Sequence, residues 1–298
     1  MRRVVGLFLL VCSPVLAQDA MFRGNPLHTG EYPGAGISKF TKVRWQFRTK
    51  GQVLSSPAVA GDTVYIGSND HLMYALDRAT GDKKWEFKTE SRITSSPAVS
   101  GGVVFFGSYD GNSSPAVADG VVYFGCRDSN FYAVDLATGK QRWAYPNKGS
   151  WVVASPAISS NNVYFATSDT GQFHAVDAKT GAELFSIDNH HWPMFSSPAV
   201  AGGFAYIGSH EGKLLVIDLK THATAWTFET EAHKQNGRMY TKEGGLPNYE
   251  AAFLDFFYDD MMSGVQKMMS VGAVLSSPVV AGDTIYFGSA DGNVYALM

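Results

Sequence analysis

The sequence predicts an all-β fold, a β-propeller of about five to six four-stranded blades, one of them truncated. A Ser-Pro element recurs along the 298 residues, mostly at steps of about 40 residues. Glycine turns and short stretches rich in β-branched and aromatic residues follow each copy. The prolines of the element are Pro57, Pro97, Pro115, Pro156, Pro198 and Pro278. This combination is typical of blades, which bury their faces only by stacking on neighbours.

The copy from Ser55 to Trp85 shows how one blade is built. Its Ser-Pro-Ala-Val stretch predicts strand A, and the β-branched run Thr63–Gly67 predicts strand B. Residues 72–76 predict strand C, and an Asp-Arg-Ala-Thr-Gly turn follows them. The alternating run 84–87 predicts strand D, which completes the unit.

Two irregular units bear on how the ring is completed. The unit from Ser95 to Asn112 has strands A and B only, which predicts a two-stranded blade and the weakest part of the ring. The last unit ends at Met298 after strand C, while Lys42–Phe47 is a D strand with no unit before it. We therefore expect this N-terminal strand to pair with the last blade and close the ring, which removes two open sheet edges.

The first residues predict export from the cytoplasm. Arg2 and Arg3 precede an apolar run, and a small-residue cleavage site ends at Ala17, so residues 1–17 are interpreted as a cleaved signal peptide. Val11 before Cys12 does not fit a lipid anchor. A periplasmic or secreted location follows, with an N-terminal extension over 18–41, the propeller over 42–298 and no transmembrane segment after cleavage.

Composition limits the possible partners and cross-links. The formal net charge is −3, which gives no reason to expect nucleic acid as a partner. Cleavage of the signal would leave Cys126 alone, so no internal disulfide is expected. Cys126 stands where other units have serine, and it is interpreted as a small buried residue.

Strands C and D carry a spaced motif. An Ala-Leu-Asp or Ala-Val-Asp stretch leads to Thr-Gly and then to a tryptophan, as from Ala75 to Trp85 and from Ala133 to Trp143. This pattern resembles the tryptophan-docking repeat of the pyrroloquinoline-quinone (PQQ) type β-propellers. In that family the tryptophans dock neighbouring blades. The resemblance therefore implies a structural role for Trp45, Trp85, Trp143 and Trp226.

Two copies depart from the motif, and the family itself is divided by function. Phe185 replaces a tryptophan, and His222 replaces the motif glycine before Trp226. Quinoprotein dehydrogenases of the family hold the quinone and a calcium ion in the channel of an eight-bladed ring, often beside a disulfide of adjacent cysteines. This chain has too few units and no such cysteine pair.

The chain is more similar to the non-catalytic members, such as the outer-membrane protein assembly factor B family. The resemblance implies a non-catalytic, exported scaffold that binds protein partners in the cell envelope. It also implies no catalytic residues and no cofactor. Two alternatives stay open: an oxidoreductase that resembles the PQQ-dependent dehydrogenases, with PQQ and calcium, and the binding of a sugar or another small ligand in the channel.

A carboxylate recurs at each predicted B–C turn. These residues are Asp70, Asp110, Asp128, Asp169, Glu211 and Asp291. They are interpreted either as a cation site at the channel mouth or, by preference, as ordinary turn chemistry. Neighbours on an extended chain point in opposite directions, so the pair His190-His191 is a poor bidentate site, and no metal is expected.

The candidate binding face combines loop aromatics with an insert over residues 231–271. Asn248 is predicted to cap a helix from Tyr249 to Met269, whose apolar positions recur at near-helical spacing. The D–A connections on the same face carry further aromatic and histidine side chains. The candidate residues are Trp151, His191, Trp192, Phe253, Phe257 and Met261. The alternative for both groups is packing against the propeller.

Overall fold

The computed structural model describes residues 10–11, 20–29, 41–108, 113–252 and 269–298. Within these ranges the strands form six antiparallel sheets, which follow one another along the chain as blades I to VI. The strands are β1 (Leu10–Val11), β2 (Ala58–Ala60), β3 (Thr63–Gly67), β4 (Leu72–Asp77), β5 (Lys83–Lys88), β6 (Ala98–Ser100), β7 (Val103–Phe105), β8 (Ala116–Ala118), β9 (Val121–Gly125), β10 (Asn130–Asp135), β11 (Gln141–Pro146), β12 (Ala157–Ser159), β13 (Asn162–Ala166), β14 (Gln172–Asp177), β15 (Glu183–Asp188), β16 (Ala199–Ala201), β17 (Phe204–Gly208), β18 (Lys213–Asp218), β19 (Ala223–Glu229), β20 (Val279–Ala281), β21 (Thr284–Gly288) and β22 (Val294–Leu297).

The predicted order of strands A to D within a unit is confirmed. Blade I contains β2–β5, blade III β8–β11, blade IV β12–β15 and blade V β16–β19, each in sequential antiparallel order. Blade II contains β6 and β7 with β1 added, and blade VI contains β20–β22. The A strands are neighbours in chain order from blade I to blade VI, so they form the inner wall.

The apolar core is divided among the spaces between consecutive blades. Between blades III and IV, the rings of Phe131 and Phe165 stack with centroids 4.2 Å apart, and both side chains are fully buried. A similar cluster between blades IV and V contains Phe173 and Leu215. Each blade therefore buries its faces against its neighbours, as the repeat predicts.

The recurrence of Ser-Ser-Pro has a direct structural cause. The first serine binds its own blade, since the Gly67 N–H donates to Ser55 Oγ at 3.2 Å. The second serine binds the next blade, since the Ser56 N–H donates to Ser96 Oγ at 2.9 Å. The further links run from Ser96 to Ser114, Ser114 to Ser155, Ser155 to Ser197 and Ser197 to Ser277. These serine links join all six described blades in sequence.

The short unit keeps its predicted A and B strands, but its sheet has a third strand. Leu10 pairs with Val104 and Val11 with Val103, so β1 takes the place that strand C has in a complete blade. The two-stranded blade is thus wrong for the described structure. Leu10–Val11 lies in the predicted signal peptide, and the rest of 1–17 lies outside the described residues, as do 109–112.

The expected pairing of Lys42–Phe47 with the last blade is not formed in the described residues. This stretch is not assigned to a strand, and blade VI has three strands. Its side chains contact blade I instead: the Phe47 ring lies 5.1 Å from that of Tyr74. The edge strand β22 stays accessible, with Val294 81% exposed. The described residues therefore do not show the predicted closure of the ring.

The insert starts with a helix that was not predicted, α1 (Glu231–Tyr240). Thr230 caps it, because Thr230 Oγ1 accepts the His233 N–H at 3.2 Å. The threonine followed by an acidic residue was the sequence signal for this start. A 3₁₀ turn (Glu243–Gly245) and α2 (Tyr249–Ala252) follow. The predicted helix thus begins at Tyr249, and residues 253–268 lie outside the described residues.

Residues 20–29, predicted only as part of an extension, lie against the inner wall. The Ile158 N–H donates to Pro26 O at 2.6 Å, and the Val200 N–H donates to Leu27 O at 3.0 Å. Met21 and His28 are buried there. In the described ranges, no helix is both long and apolar enough to cross a membrane.

Candidate functional site

The docking geometry is clearest for Trp143. Its Nε1–H donates to the carbonyl oxygen of Ala178 in blade IV at 3.0 Å, and only 9% of the residue is exposed. A Cβ added at Gly181 would lie 2.6 Å from the Trp143 ring, so the glycine leaves room for the indole. The Asp-x-x-Thr-Gly turn of one blade is therefore a receptor for the tryptophan of the preceding blade.

Trp45 repeats this geometry on blade I. Its Nε1–H donates to Arg78 O at 3.0 Å, and its ring lies against Gly81. Trp85 faces the short blade II, where the described residues provide no such turn, and it keeps only the contact with the tyrosine of its own blade, Tyr65, that Trp143 also makes with Tyr123. Trp226 precedes blade VI, which ends at strand C, and it is 44% exposed. The sequence pattern therefore identified four equivalent positions, two of which have a receptor turn in the described structure.

The two departures from the motif meet in space. The Phe185 ring of blade IV stacks on His222 of blade V, with centroids 4.3 Å apart and planes inclined by 12°. Phe185 occupies the tryptophan position and His222 the glycine position of the receptor turn. Phe185 is smaller than tryptophan and His222 is larger than glycine, so the ring still contacts the receptor turn of the next blade. The two departures therefore compensate for each other in size.

The recurring carboxylates are bound within their own turns. Tyr74, Tyr132 and Tyr295 donate hydroxyl hydrogen bonds to Asp70, Asp128 and Asp291 over 2.6–2.7 Å. Partial burial alone would raise the pKa of Asp70, but hydrogen bonds from Tyr74 and from the Lys50 N–H outweigh burial and lower that pKa. These contacts support turn chemistry rather than a cation site for the carboxylates.

The carboxylate of blade V is bound by a lysine. Glu211 is buried and forms a 2.7 Å ion pair with Lys213, which also lies 3.8 Å from Glu229. His233 of α1 closes this group, since its Nδ1 lies 2.7 Å from Glu211 O. Asp110 lies outside the described residues, and within those residues no group of three side chains is arranged to hold a metal ion.

Trp192 lies under the insert rather than on the surface. It is fully buried, and its Nε1–H donates to Gly245 O at 2.9 Å. Its ring packs with Tyr240 at the end of α1 and with Val271 at the end of the insert. The candidate binding role is therefore wrong for Trp192, which anchors the insert because an indole buried in this apolar cluster also satisfies its N–H. His191 remains exposed beside it.

The name insert face is used here for the exposed side chains of Trp151 and of the insert residues Leu246 and Tyr249, together with Arg127 and Asp169 beside Trp151. Trp151 is 43% exposed, and the Arg127 guanidinium lies 5.0 Å from the centre of its ring. The Trp151 N–H donates to Asp169 Oδ2 at 3.4 Å. Partial burial and the negative charge of Asp169 raise the pKa of Tyr249, so Tyr249 lies within electrostatic range of this loop.

The insert face contains residues that sequence reasoning missed. Leu246 and Tyr249 of the insert are 42% and 45% exposed. A basic residue before the recurring carboxylate was the available signal for Arg127. The predicted positions Phe253, Phe257 and Met261 lie outside the described residues. Rigid aromatic rings beside an arginine are the composition that protein interfaces favour.

A second polar group, also missed, lies between blades III and IV. His174 Nδ1 is 2.9 Å from Glu183 Oε2, and the Tyr145 hydroxyl donates to the same carboxylate oxygen. Burial lowers the pKa of His174 despite the partly compensating hydrogen bond that its ring donates to the Glu183 carboxylate. His174 takes the place of the tyrosine that binds the turn carboxylate in other blades. In blade IV the contact with Glu183 on strand D therefore replaces that contact with the turn.

Together the antiparallel blades, the serine links and the indole receptor turns define a β-propeller of PQQ-like repeats. The family model described as outer membrane protein assembly factor BamB matches residues 38–228. The chain belongs to this family. No curated protein matches the chain in sequence.

Solved structures show the same fold at low sequence identity. BamB from Moraxella catarrhalis is 16% identical, with a TM-score of 0.46 over 86% of this chain, which spans 64% of that protein. The computationally designed Ika8 protein is 17% identical, with a TM-score of 0.59 over 81% of this chain and 70% of that one. Quinohemoprotein alcohol dehydrogenase from Comamonas testosteroni is 14% identical, with a TM-score of 0.50 over 83% and 41%.

Proposed function

We propose that the protein is a non-catalytic scaffold in the cell envelope, which binds protein partners during the assembly of outer-membrane proteins. The insert face is the observation that carries this proposal. It offers exposed aromatic and aliphatic side chains held by a rigid blade loop and an anchored insert. Family membership supports the same class of function, since the family model is described as an assembly factor. A periplasmic location is part of the proposal.

The insert face favours a partner surface that contains both apolar and acidic groups. The Arg127 guanidinium lies over the Trp151 ring, and the Trp151 main-chain N–H donates to the Asp169 carboxylate. Stacked arginine and exposed indole contribute most when a partner excludes water from both. We therefore expect the partner to present an apolar side chain to Trp151 and an acidic group to Arg127.

Site-specific photo-crosslinking in the native envelope tests the proposal. A photoreactive amino acid in place of Trp151 should form a covalent adduct with an envelope protein. The same replacement at Trp226 is the matched control, because the two tryptophans are 43% and 44% exposed on different parts of the molecule. Adducts of equal yield at both positions, or none at Trp151, would contradict the proposed surface.

The alternative of a quinone-dependent oxidoreductase fits the inner wall poorly. The resemblance places a quinone in the channel, but here Leu27 and the buried residues Met21 and His28 lie against the inner strands. The cysteine of the described chain, Cys126, is buried in blade III. These residues do not fit PQQ and calcium.

A reconstitution experiment tests this second possibility directly. Purified protein incubated with PQQ and calcium is expected to show no dye reduction with alcohols or aldoses. Substrate-dependent reduction above a control without protein would contradict the scaffold proposal and favour the oxidoreductase.

A further inference from the structure

We propose that the inner wall of the propeller is a recognition site for a peptide segment, and that the chain fills this site with its own residues 20–29. The insert face and the partners proposed for it play no part in this inference. It concerns the opposite side of the blades, where the A strands meet. The argument starts from the hydrogen-bond pattern of those strands.

The pairing register leaves one main-chain N–H per blade directed away from its own sheet. In blade I the A and B strands are joined by a two-residue turn, so Ala60 and Thr63 form the closing pair and Val59 faces Val64 in the next pair. Hydrogen-bonded and non-bonded pairs alternate in an antiparallel ladder. The Val59 N–H therefore points out of the sheet. The equivalent residues are Val99, Val117, Ile158, Val200 and Val280.

Residues 20–29 accept hydrogen bonds from these outward N–H groups in several blades. The Val99 N–H donates to Ala20 O at 2.6 Å, and the Ala20 N–H returns a bond to Val99 O at 2.9 Å. The Ile158 and Val200 N–H groups donate to the successive carbonyls of Pro26 and Leu27. The same structural position is thus used in blades II, IV and V.

Blade VI is bound in the same way. The Val280 N–H donates to Thr29 O at 3.2 Å, and the Arg23 guanidinium donates to Pro278 O in the same blade. Equivalent main-chain donors from separate blades converge on one ten-residue segment. This convergence is the signature of a recognition site for peptide carbonyls, in which main-chain bonds provide affinity.

Side chains of the segment supply the apolar part of the contact. Met21 packs into the cluster between blades II and III, and Leu27 packs against the cluster between blades IV and V. The segment reaches both clusters because it is folded on itself: Asn25 Nδ2 donates to Thr29 Oγ1 at 2.7 Å. The site therefore selects two bulky apolar side chains as well as main-chain carbonyls.

Blade I provides an internal control. Val59 is 45% exposed, whereas the equivalent Val99, Val200 and Val280 are buried. Among the described residues, the segment forms no main-chain bond with blade I. Val117 of blade III is also buried and, among the described residues, has no main-chain bond to the segment, but it shares an apolar cluster with Met21. Burial at this repeat position thus follows contact with residues 20–29, either through main-chain bonds or through the Met21 side chain.

Residue-resolved amide hydrogen exchange on the intact chain tests the proposal without any substitution. The amides of Val99, Ile158, Val200 and Val280 should exchange at least about tenfold more slowly than that of Val59, because only bonded amides are protected. Equal exchange at Val59 and at the other amides would overturn the proposal.

A variant and a synthetic peptide test recognition itself. In Leu27→Asp, exchange should accelerate at Ile158 and Val200 but not at Ala75 within blade I. Leu54→Asp is the control, since Leu54 is 65% exposed. A synthetic peptide of residues 20–29 should restore slow exchange in Leu27→Asp, whereas the peptide with the same substitution should not. Unchanged exchange in Leu27→Asp, or no restoration by the wild-type peptide, would overturn the recognition site. If Leu27→Asp unfolds the chain, the comparison within the intact protein still decides.

Discussion

Replacement of Trp143 by alanine should destabilise the propeller much more than the same replacement at Trp226. Trp143 is 9% exposed, donates a hydrogen bond to Ala178 O and lies in the cluster between blades III and IV. Loss of a buried tryptophan typically costs about 3–5 kcal/mol. Trp226 is 44% exposed at the equivalent repeat position, so its loss should cost about 1 kcal/mol or less.

Two glycines distinguish the effect of a clash with the docked indole from the effect of backbone strain. Gly181 and Gly139 have φ values of 73° and 68°, so an alanine at either position carries a left-handed penalty of about 1–2 kcal/mol. A Cβ at Gly181 would lie 2.6 Å from the Trp143 ring, whereas a Cβ at Gly139 meets nothing within 4 Å. Gly181→Ala should therefore be clearly more destabilising than Gly139→Ala.

Urea unfolding followed by far-UV circular dichroism measures all four variants, because the midpoint and slope give the free energy of unfolding. Far-UV detection is preferred since two of the variants remove an indole. If Trp226→Ala costs as much as Trp143→Ala, or Gly139→Ala as much as Gly181→Ala, the assignment of the receptor turn is wrong.

The remaining predictions concern His28, the stacked pair Phe185 and His222, and the serine links. Burial and the nearby Arg23 charge lower the pKa of His28 to about 3, so between pH 6.5 and that value only the unfolded chain binds its proton. The free energy of unfolding should therefore be about 2 kcal/mol lower at pH 5 than at a pH above 6.5. His28→Asn should remove this part of the pH dependence, as measured by urea unfolding at both pH values. For the stacked rings, Phe185→Leu and His222→Ala should show a coupling of about 0.5–1.5 kcal/mol in a double-mutant cycle, and strictly additive losses would contradict the stacking. Ser155→Ala should cost about 1–3 kcal/mol, because the buried Ser114 N–H loses Ser155 Oγ as its hydrogen-bond acceptor. Ser56→Ala should leave the melting temperature nearly unchanged, because Ser56 forms its link through the main-chain N–H.

The repeated part of the fold was predictable because its causes are local. The turn residues, the β-branched runs and the Ser-Pro element each determine structure within a few residues, and the A–D order of blade I follows from them. The helix start at Tyr249 agrees with the prediction, but its predicted cause does not, since Asn248 Oδ1 accepts no hydrogen bond among the described residues. The start of α1 was missed although Thr230 followed by Glu231 carried the capping signal.

The features that could not be predicted depend on contacts between distant residues. Nothing in residues 20–29 themselves indicates that their carbonyls meet Ile158 and Val200. Trp151 and Trp192 look alike in sequence, since both precede a Ser-Pro element, but the 3₁₀ turn of the insert covers one and leaves the other exposed. Whether a loop aromatic is a contact or a core residue depends here on a segment about fifty residues away.

The serine links also explain how a shortened unit can be kept. Ser95 and Ser96 make their bonds to Gly107 and Ser114 through strands A and B alone, so the loss of strands C and D breaks neither bond. Such a chain can gain or lose outer hairpins during evolution while the succession of blades continues uninterrupted. An insertion of about twenty residues that restores strands C and D after Gly107 would have to displace β1 from β7, but it should break none of the serine links to the neighbouring blades. The outer strands are in this sense interchangeable additions to an inner chain of serine links.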